Sequence, residues 1–287
     1  MSEPVAFFER DGDHFRPTVL TRGPWRPEHQ HGGPPAALMA RAIEGAAGEA
    51  DFLQLARFTI DFVRPVPIEP LTVRVEQVRD GRRARGYAAT LWAGEQAVAR
   101  ATALVVKVER PASIPGPGRE RLRPLPDEAE PFQFPFFRAP IGYHTAVESR
   151  LARGVLGSGR AAAWMRQRVP LVLGEIPSPA QRLLVMADSG SGVGATLDLA
   201  RFVPFINADL NVSLHRLPDG EWIGLDAVTT LEPHGVGLTR TGLYDMHGAI
   251  GEGLQALVAG PDGSTMTNPS RASPHQNGER RRPGEAS

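Results

Sequence analysis

The chain has 287 residues, 41% of them hydrophobic, with 32 basic and 32 acidic side chains and no cysteine. That length supports one large domain or two of ordinary size around a real core, and the balanced charge gives no footprint for nucleic acid or an anionic membrane surface. The missing cysteine removes disulfide frameworks, thiolate nucleophiles and cysteine-ligated metals. No apolar run approaches the roughly 20 residues of a spanning helix, and Met1–Val5 lack a charged-then-apolar targeting pattern, so a cytoplasmic protein without a membrane partner is expected. Lys107 is the only lysine among the basic residues, which reads as coding bias.

The first elements are two short strand-like stretches, around Phe7-Phe8 and over Phe15–Leu20, joined by Asp11-Gly12-Asp13, a hairpin-type turn. His29-Gln30-His31-Gly32-Gly33-Pro34-Pro35 then leads into Ala36–Ile43. Alanine, leucine and methionine favour helix, and proline is tolerated in a first turn. The segment is apolar on most sides, which predicts a buried helix ended by Gly45 and Gly48. Phe58–Val63, Leu71–Val78, Gly86–Trp92 and Ala97–Val108 read as strands, with alternation clearest in Leu71-Thr72-Val73-Arg74-Val75-Glu76.

Seven prolines between 111 and 135 suggest a linker. A second set of elements follows from near His144. It comprises a strand pair around Gly157-Ser158-Gly159, a helix over Pro179–Asp188 closed by Gly190, Gly192 and Gly194, and strands over Ala208–His215, Trp222–Thr230, Gly237–Tyr244 and Ala249–Val258. Residues 260–287 contain almost no large apolar side chains and are expected to be disordered. The expected organisation is therefore residues 1–109, a linker over 110–140, a second unit over 141–259, and a tail over 260–287.

The second set repeats the first. Arg216 and Tyr244 lie 152 residues after Arg64 and Trp92. A fixed offset across several elements indicates two copies of one supersecondary unit. Asp209, Thr230 and Gln255 of the second copy stand where the first has Arg57, Val78 and Thr102, so the second copy is the one equipped with polar groups.

A helix laid across an antiparallel sheet, occurring twice, resembles the α+β double hotdog fold. His31-Gly32-Gly33-Pro34-Pro35-Ala36-Ala37-Leu38-Met39-Ala40-Arg41-Ala42 resembles the helix start of TesB-like acyl-CoA thioesterases. Ala208-Asp209-Leu210-Asn211-Val212-Ser213-Leu214-His215-Arg216, the stretch from Glu221-Trp222 through Thr230 and Gly237 to Leu243-Tyr244-Asp245, and Gln255 in the last strand resemble that family as well. The resemblance covers roughly residues 5–259. It implies hydrolysis of an acyl-CoA thioester by a water held by an Asp, a Thr or Ser, and a Gln of the C-terminal copy. Asp209, Thr230 and Gln255 fall on those positions; Thr230 is chosen over its neighbour Thr229 by alignment. It also implies a small-molecule substrate, no cofactor and a homodimer.

The residues themselves agree with direct water attack. There is no Gly-x-Ser-x-Gly elbow and no cysteine for a covalent route. The oxyanion needs donors, and free N–H groups at a helix start supply them with the right dipole sign. His31, Gly32 and Gly33 are therefore the candidate oxyanion and substrate-binding residues, the glycines admitting substrate close to the backbone. His31 has three readings: catalysis, a CoA phosphate contact, or packing at the helix start. Asp188 reads as structural, Arg216 as a structural ion-pair partner, and Arg82-Arg83-Ala84-Arg85 as a solvated turn. No His/Asp/Glu cluster has metal-site spacing. The leading alternative is a non-catalytic hotdog protein that binds acyl-CoA or another thioester. A hydratase needs an Asp/His pair, and the first copy has no Asp-x-x-x-x-His after a strand.

Overall fold

The structure, a computed structural model, describes residues 5–48, 53–109, 120–196 and 205–259. The first copy contains β1 (Phe8–Asp11), β2 (His14–Pro17), α1 (Gly33–Ala47), β3 (Leu53–Phe62), β4 (Leu71–Arg79), β5 (Ala84–Ala93) and β6 (Gln96–Lys107). The second contains β7 (Glu130–Pro131), α2 (Tyr143–Ala146), β8 (Val147–Gly154), β9 (Arg160–Gln167), α3 (Pro179–Ala187), α4 (Gly190–Val193), β10 (Phe205–Asn207), β11 (Asp209–Leu214), β12 (Ile223–Leu231), β13 (Val236–Asp245) and β14 (Gly248–Ala259). The expected tail lies outside the described residues.

The strands form one antiparallel sheet in the order β1-β2-β4-β5-β6-β3-β11-β14-β13-β12-β9-β8-β7, with β10 added on β14. The order is symmetric about the β3–β11 seam, where the two copies join. Thr59 and Asn211 are directly paired there, and the Asn211 amide donates to the Thr59 hydroxyl at 2.6 Å. These two residues are 152 positions apart, the repeat offset read in the sequence. In an antiparallel pair only one position faces its own equivalent, so the pseudo-twofold axis passes through this pair.

Each copy lays its helix on the inner face of the sheet. α1 starts with Pro34 and Pro35 in its first turn, where their missing N–H groups cost nothing, and ends at Gly48, whose φ of +80° suits glycine. Its first half, Gly33 to Ala40, is buried throughout, while Gly45 and Ala46 are exposed. α3 is capped by Ser178, which accepts from the Gln181 N–H at 3.1 Å. Leu38, Met39 and Ile43 of α1 join Leu183, Leu184 and Met186 of α3 in one core with Phe58, Ile60, Leu225 and Leu243 of the sheet.

The helices run antiparallel. At one end Glu44 of α1 accepts from Ser178 (2.8 Å) and Gln181 (2.7 Å) of α3, and burial pushes its carboxyl above the usual range. Beside them Arg41 grips Glu175 through two hydrogen bonds of 2.5 and 2.6 Å. At the other end Gly33 sits so close to α3 that an added Cβ would lie 2.2 Å from the Val185 carbonyl oxygen.

The Pro-rich stretch does more than connect the copies. In its described part Leu122, Ala129 and Phe134 are buried, and Phe134 belongs to the main core. Phe132, Phe134, Phe136 and Phe137 form a chain of ring contacts with centroids 5.0 to 5.4 Å apart. That chain runs against the end of α3 and α4.

Gly33→Ala forces a methyl group into the Val185 backbone and must separate the helices. We expect it to lower stability by about 1–3 kcal/mol, the usual cost of overpacking. Chemical denaturation beside Gly45→Ala, whose added Cβ meets nothing within 4 Å, measures it. Equal stabilities would show that the helices do not meet at Gly33.

Candidate active site

Asp188 is the residue after the last turn of α3, with its side chain 3% exposed. A carboxylate at a helix C-terminus faces the negative end of the dipole, so its burial needs donors from elsewhere. Three elements supply them. The Asn207 amide, from β10, donates to Oδ1 at 2.6 Å. The Gln255 amide, from β14, donates to the Asp188 carbonyl at 3.1 Å and approaches Oδ1 at 3.5 Å. His31, just before α1, places Nδ1 3.1 Å from Oδ2. Gln255 is itself fixed, because its Oε1 accepts from the Ser191 N–H at 2.9 Å. One buried carboxyl thus ties both copies together.

His31 is held on three sides. Its ring stacks on Tyr143 with centroids 3.8 Å apart and planes 5° from parallel. The Tyr143 hydroxyl donates to the Val185 carbonyl at 2.8 Å and meets the Ser189 hydroxyl at 2.9 Å. Burial pushes this phenol well above its usual range, so it stays a neutral donor. The Gly33 N–H donates to His31 Nδ1 at 3.2 Å, and Asp188 Oδ2 lies 3.1 Å from the same nitrogen. A lone pair on Nδ1 suits the Gly33 N–H, and a proton on it makes a charge-assisted bond to the carboxylate. Burial holds the imidazole below its ordinary pKa, against the smaller upward pull of Asp188.

The expected trio of Asp209, Thr230 and Gln255 does not converge. Gln255 lies on the inner face of β14, 1% exposed. Asp209 is on the opposite face of β11: Leu210, Val212 and Leu214 point inward, and Asp209, Asn211 and Ser213 do not. Its Oδ1 accepts from the Ala256 N–H at 2.6 Å, a backbone-pairing role. Thr230 is exposed, because β12 turns Ile223, Leu225, Ala227 and Thr229 inward. The inward Thr229 shares a hydrogen bond of 2.6 Å with Thr239. Alignment by residue type placed both residues one strand position out of phase with the core.

The glycines also have a reason other than substrate approach. A Cβ on Gly32 would lie 2.6 Å from the Phe62 ring and 2.8 Å from Asp188 Oδ2. Gly32 and Gly33 therefore admit the carboxyl of α3 and its backbone. Asn207 is not singled out in the sequence, and Asp188 reads there as structural. The sequence did carry a signal: a carboxyl and the small polar run Ser189-Gly190-Ser191 at the end of an otherwise apolar helix need partners.

Two spaces meet at this cluster. A narrow cavity of about 60 Å³ is bounded by His31, Asp188, Ser189 and the rings of Phe134, Phe136 and Phe137. A cleft of about 590 Å³ on the other side is bounded by Arg26, His29, Phe62, Arg64 and Ile206. Trp25, Gln30, Gly32 and Asn207 belong to both walls. Among the described residues no group of three His, Asp or Glu side chains could hold a metal ion, and no helix is long and apolar enough to cross a membrane.

Because burial lowers the His31 pKa, the unfolded chain binds a proton there that the folded chain resists. Stability attributable to this group is present above the ordinary histidine value of 6.5 and falls as pH drops below it. His29 and His144 are lowered as well, so the informative quantity is the difference between wild type and His31→Asn. Denaturation midpoints from pH 8 to 5 should fall more steeply in wild type. Parallel curves would contradict a buried neutral His31.

The sequence matches the description "Acyl-CoA thioesterase N-terminal domain" over residues 21–106 and "Acyl-CoA thioesterase C-terminal domain" over residues 119–259. Among curated proteins none matches it. Similar solved structures include a conserved hot dog fold protein of unknown function from Alicyclobacillus acidocaldarius, with a TM-score of 0.68, 18% identity, and coverage of 88% of this chain and 95% of that one. The tesB protein of Mycobacterium avium subs paratuberculosis has a TM-score of 0.59 at 17% identity, covering 88% and 96%. The acyl-CoA thioesterase II TesB2 of Mycobacterium marinum has a TM-score of 0.62 at 16% identity, covering 88% and 95%. At these identities the structures establish the double hotdog fold, and the two domain matches establish more: the chain belongs to the TesB-like acyl-CoA thioesterase family.

Proposed function

We propose that the protein hydrolyses an acyl-CoA thioester at the Asp188 cluster, by direct attack of water. The observation that carries this reading is one buried carboxyl, shared by Asn207, Gln255 and His31, lining an aromatic cavity that shares Gly32 and Asn207 with the neighbouring cleft.

Both Asp188 oxygens have protein neighbours, and its side chain is 3% exposed against 12% for His31. His31 is therefore the group that meets water. Asp188 orients the ring through Nδ1–H, and Nε2 takes the proton as water attacks the thioester carbon. Asp188 stabilises the imidazolium that forms, and His31 returns the proton to the departing thiolate. Asn207 and Gln255 hold Asp188 in place and donate to its negative charge. The Gly32 N–H, at the start of α1, donates to the oxyanion, where the helix dipole has the right sign. The cleft takes the carrier arm, with Arg26 and Arg64 toward its phosphates.

A second reading draws on the same pair. His31 and Asp188 from different copies form the His/Asp partnership that hydration of an enoyl thioester needs, and no such pair is adjacent in sequence. Crotonyl-CoA separates the two chemistries: hydrolysis frees thiol, whereas hydration removes the enoyl absorbance with the thioester intact.

Asp188→Asn should lower thiol release by about 10²–10⁴-fold, the usual contribution of a positioned proton-transfer group. His31→Ala should fall by a similar factor. Asp209→Asn and Thr230→Val should remain within about threefold of wild type, as changes outside a proton-transfer step do. Wild-type turnover in His31→Ala with loss in Asp188→Asn would move the base role to Asp188. Full activity in Asp188→Asn would place the chemistry elsewhere.

A further inference from the structure

We propose that the aromatic segment Phe132–Phe137 is the end wall of the acyl pocket and confines the protein to short acyl groups. The inference rests on the thioesterase reading and names its substrate class.

The orientation of the substrate follows from the two spaces. Gly32 and Asn207 lie on the wall common to both, so the reacting carbonyl belongs at that junction. Arg26 and Arg64 line the cleft, which is wide enough at about 590 Å³ for the carrier arm and suited to its anionic end. The acyl group is then left with the cavity beyond His31 and Asp188, whose volume is about 60 Å³.

That volume decides the chain length. The space is less than half that of a cavity that accepts a benzene ring, about 150 Å³, so it suits a short acyl group. The carbonyl and the attacking water occupy part of it, which leaves room only for a short acyl chain. Aromatic acyl groups do not fit either.

The far side is closed by rings that support one another. Phe136 stacks on Trp25 at 6.4 Å with planes 9° apart, and on Phe134 at 5.1 Å. Phe134 is 4% exposed and anchored in the core. Behind them is α4, where a Cβ on Gly192 would come within 3.2 Å of Phe136 and 3.4 Å of Phe134. The rings already fill the space up to the helix backbone, so a longer chain would have to displace them. The sequence between the two copies thus supplies the specificity wall, while the copies supply the chemistry.

The test is the chain-length profile of thiol release from acetyl-, butanoyl-, octanoyl- and palmitoyl-CoA. In wild type kcat/KM should fall at least about tenfold from butanoyl to octanoyl, since even one methylene misfit in an apolar pocket is worth that much. Phe136→Ala opens the wall and should raise the octanoyl-to-butanoyl ratio by about tenfold, with a smaller rise in Phe136→Leu. Phe136 is half-buried; if the alanine variant does not fold, the leucine variant carries the comparison. Affinities for S-ethyl- to S-octyl-CoA thioethers, measured by calorimetry, report pocket length without turnover. A length limit in thioether binding that Phe136→Ala relaxes, without thiol release, keeps the wall and removes the hydrolase reading. A wild-type optimum at octanoyl or palmitoyl overturns the wall, as does a profile unchanged in both Phe136 variants or thioether affinity that keeps rising to octyl. No binding and no release at any length overturns both.

Discussion

The structure depends on how closely α1 can cross the end of α3. Gly33 lies where no side chain fits against the Val185 carbonyl, and Gly32 where none fits against Asp188. That contact brings a histidine of the first copy to a carboxyl of the second. It also fixes the helices as an antiparallel pair, clamped at the far end by Glu44 with Ser178 and Gln181. Two glycines therefore contribute through the atoms they lack, and both the core and the site depend on it.

The cluster around Asp188 is a buried polar network, which is stabilising only when its members are satisfied. A carboxyl at a helix C-terminus is poorly placed by its own helix. Amides from two strands and an imidazole from the other copy compensate. Removing any one partner leaves a buried group unpaired, so each residue couples fold and site. Tyr143 extends the network by packing flat on His31 while its hydroxyl ties the ring to the α3 backbone. The imidazole is thus held in plane.

Duplication explains why such a site forms at all. The pseudo-twofold axis at Thr59 and Asn211 makes the seam of the sheet a plane between equivalent surfaces. Residues near that plane face their counterparts, and divergence turns a symmetric contact into a working one. The second copy kept Asp188, Asn207 and Gln255, and the first contributed His31 and a glycine-permitted helix start.

The sequence by itself determined the two copies, their offset, the long strands and the two long helices in order, and the buried character of α1. These follow from local periodicity and composition, which act over a few residues. It did not give the short α2, α4, β7 and β10. It left open whether Gln255 faces inward, since Leu254 and Val258 are apolar yet exposed and Gln255 is polar yet buried. It did not give the partners of Gln255. Asp209 and Thr230 matched by residue type, yet the pleat turns Leu210 and Thr229 inward instead. That alternation was readable in Asp209-Leu210-Asn211-Val212-Ser213-Leu214 and shows how a single-residue shift reverses a face. The meeting of His31, Asp188, Asn207 and Gln255 was decided only by tertiary structure. They lie on four separate elements, and only the close crossing of two helices over a shared sheet brings them within hydrogen-bonding distance.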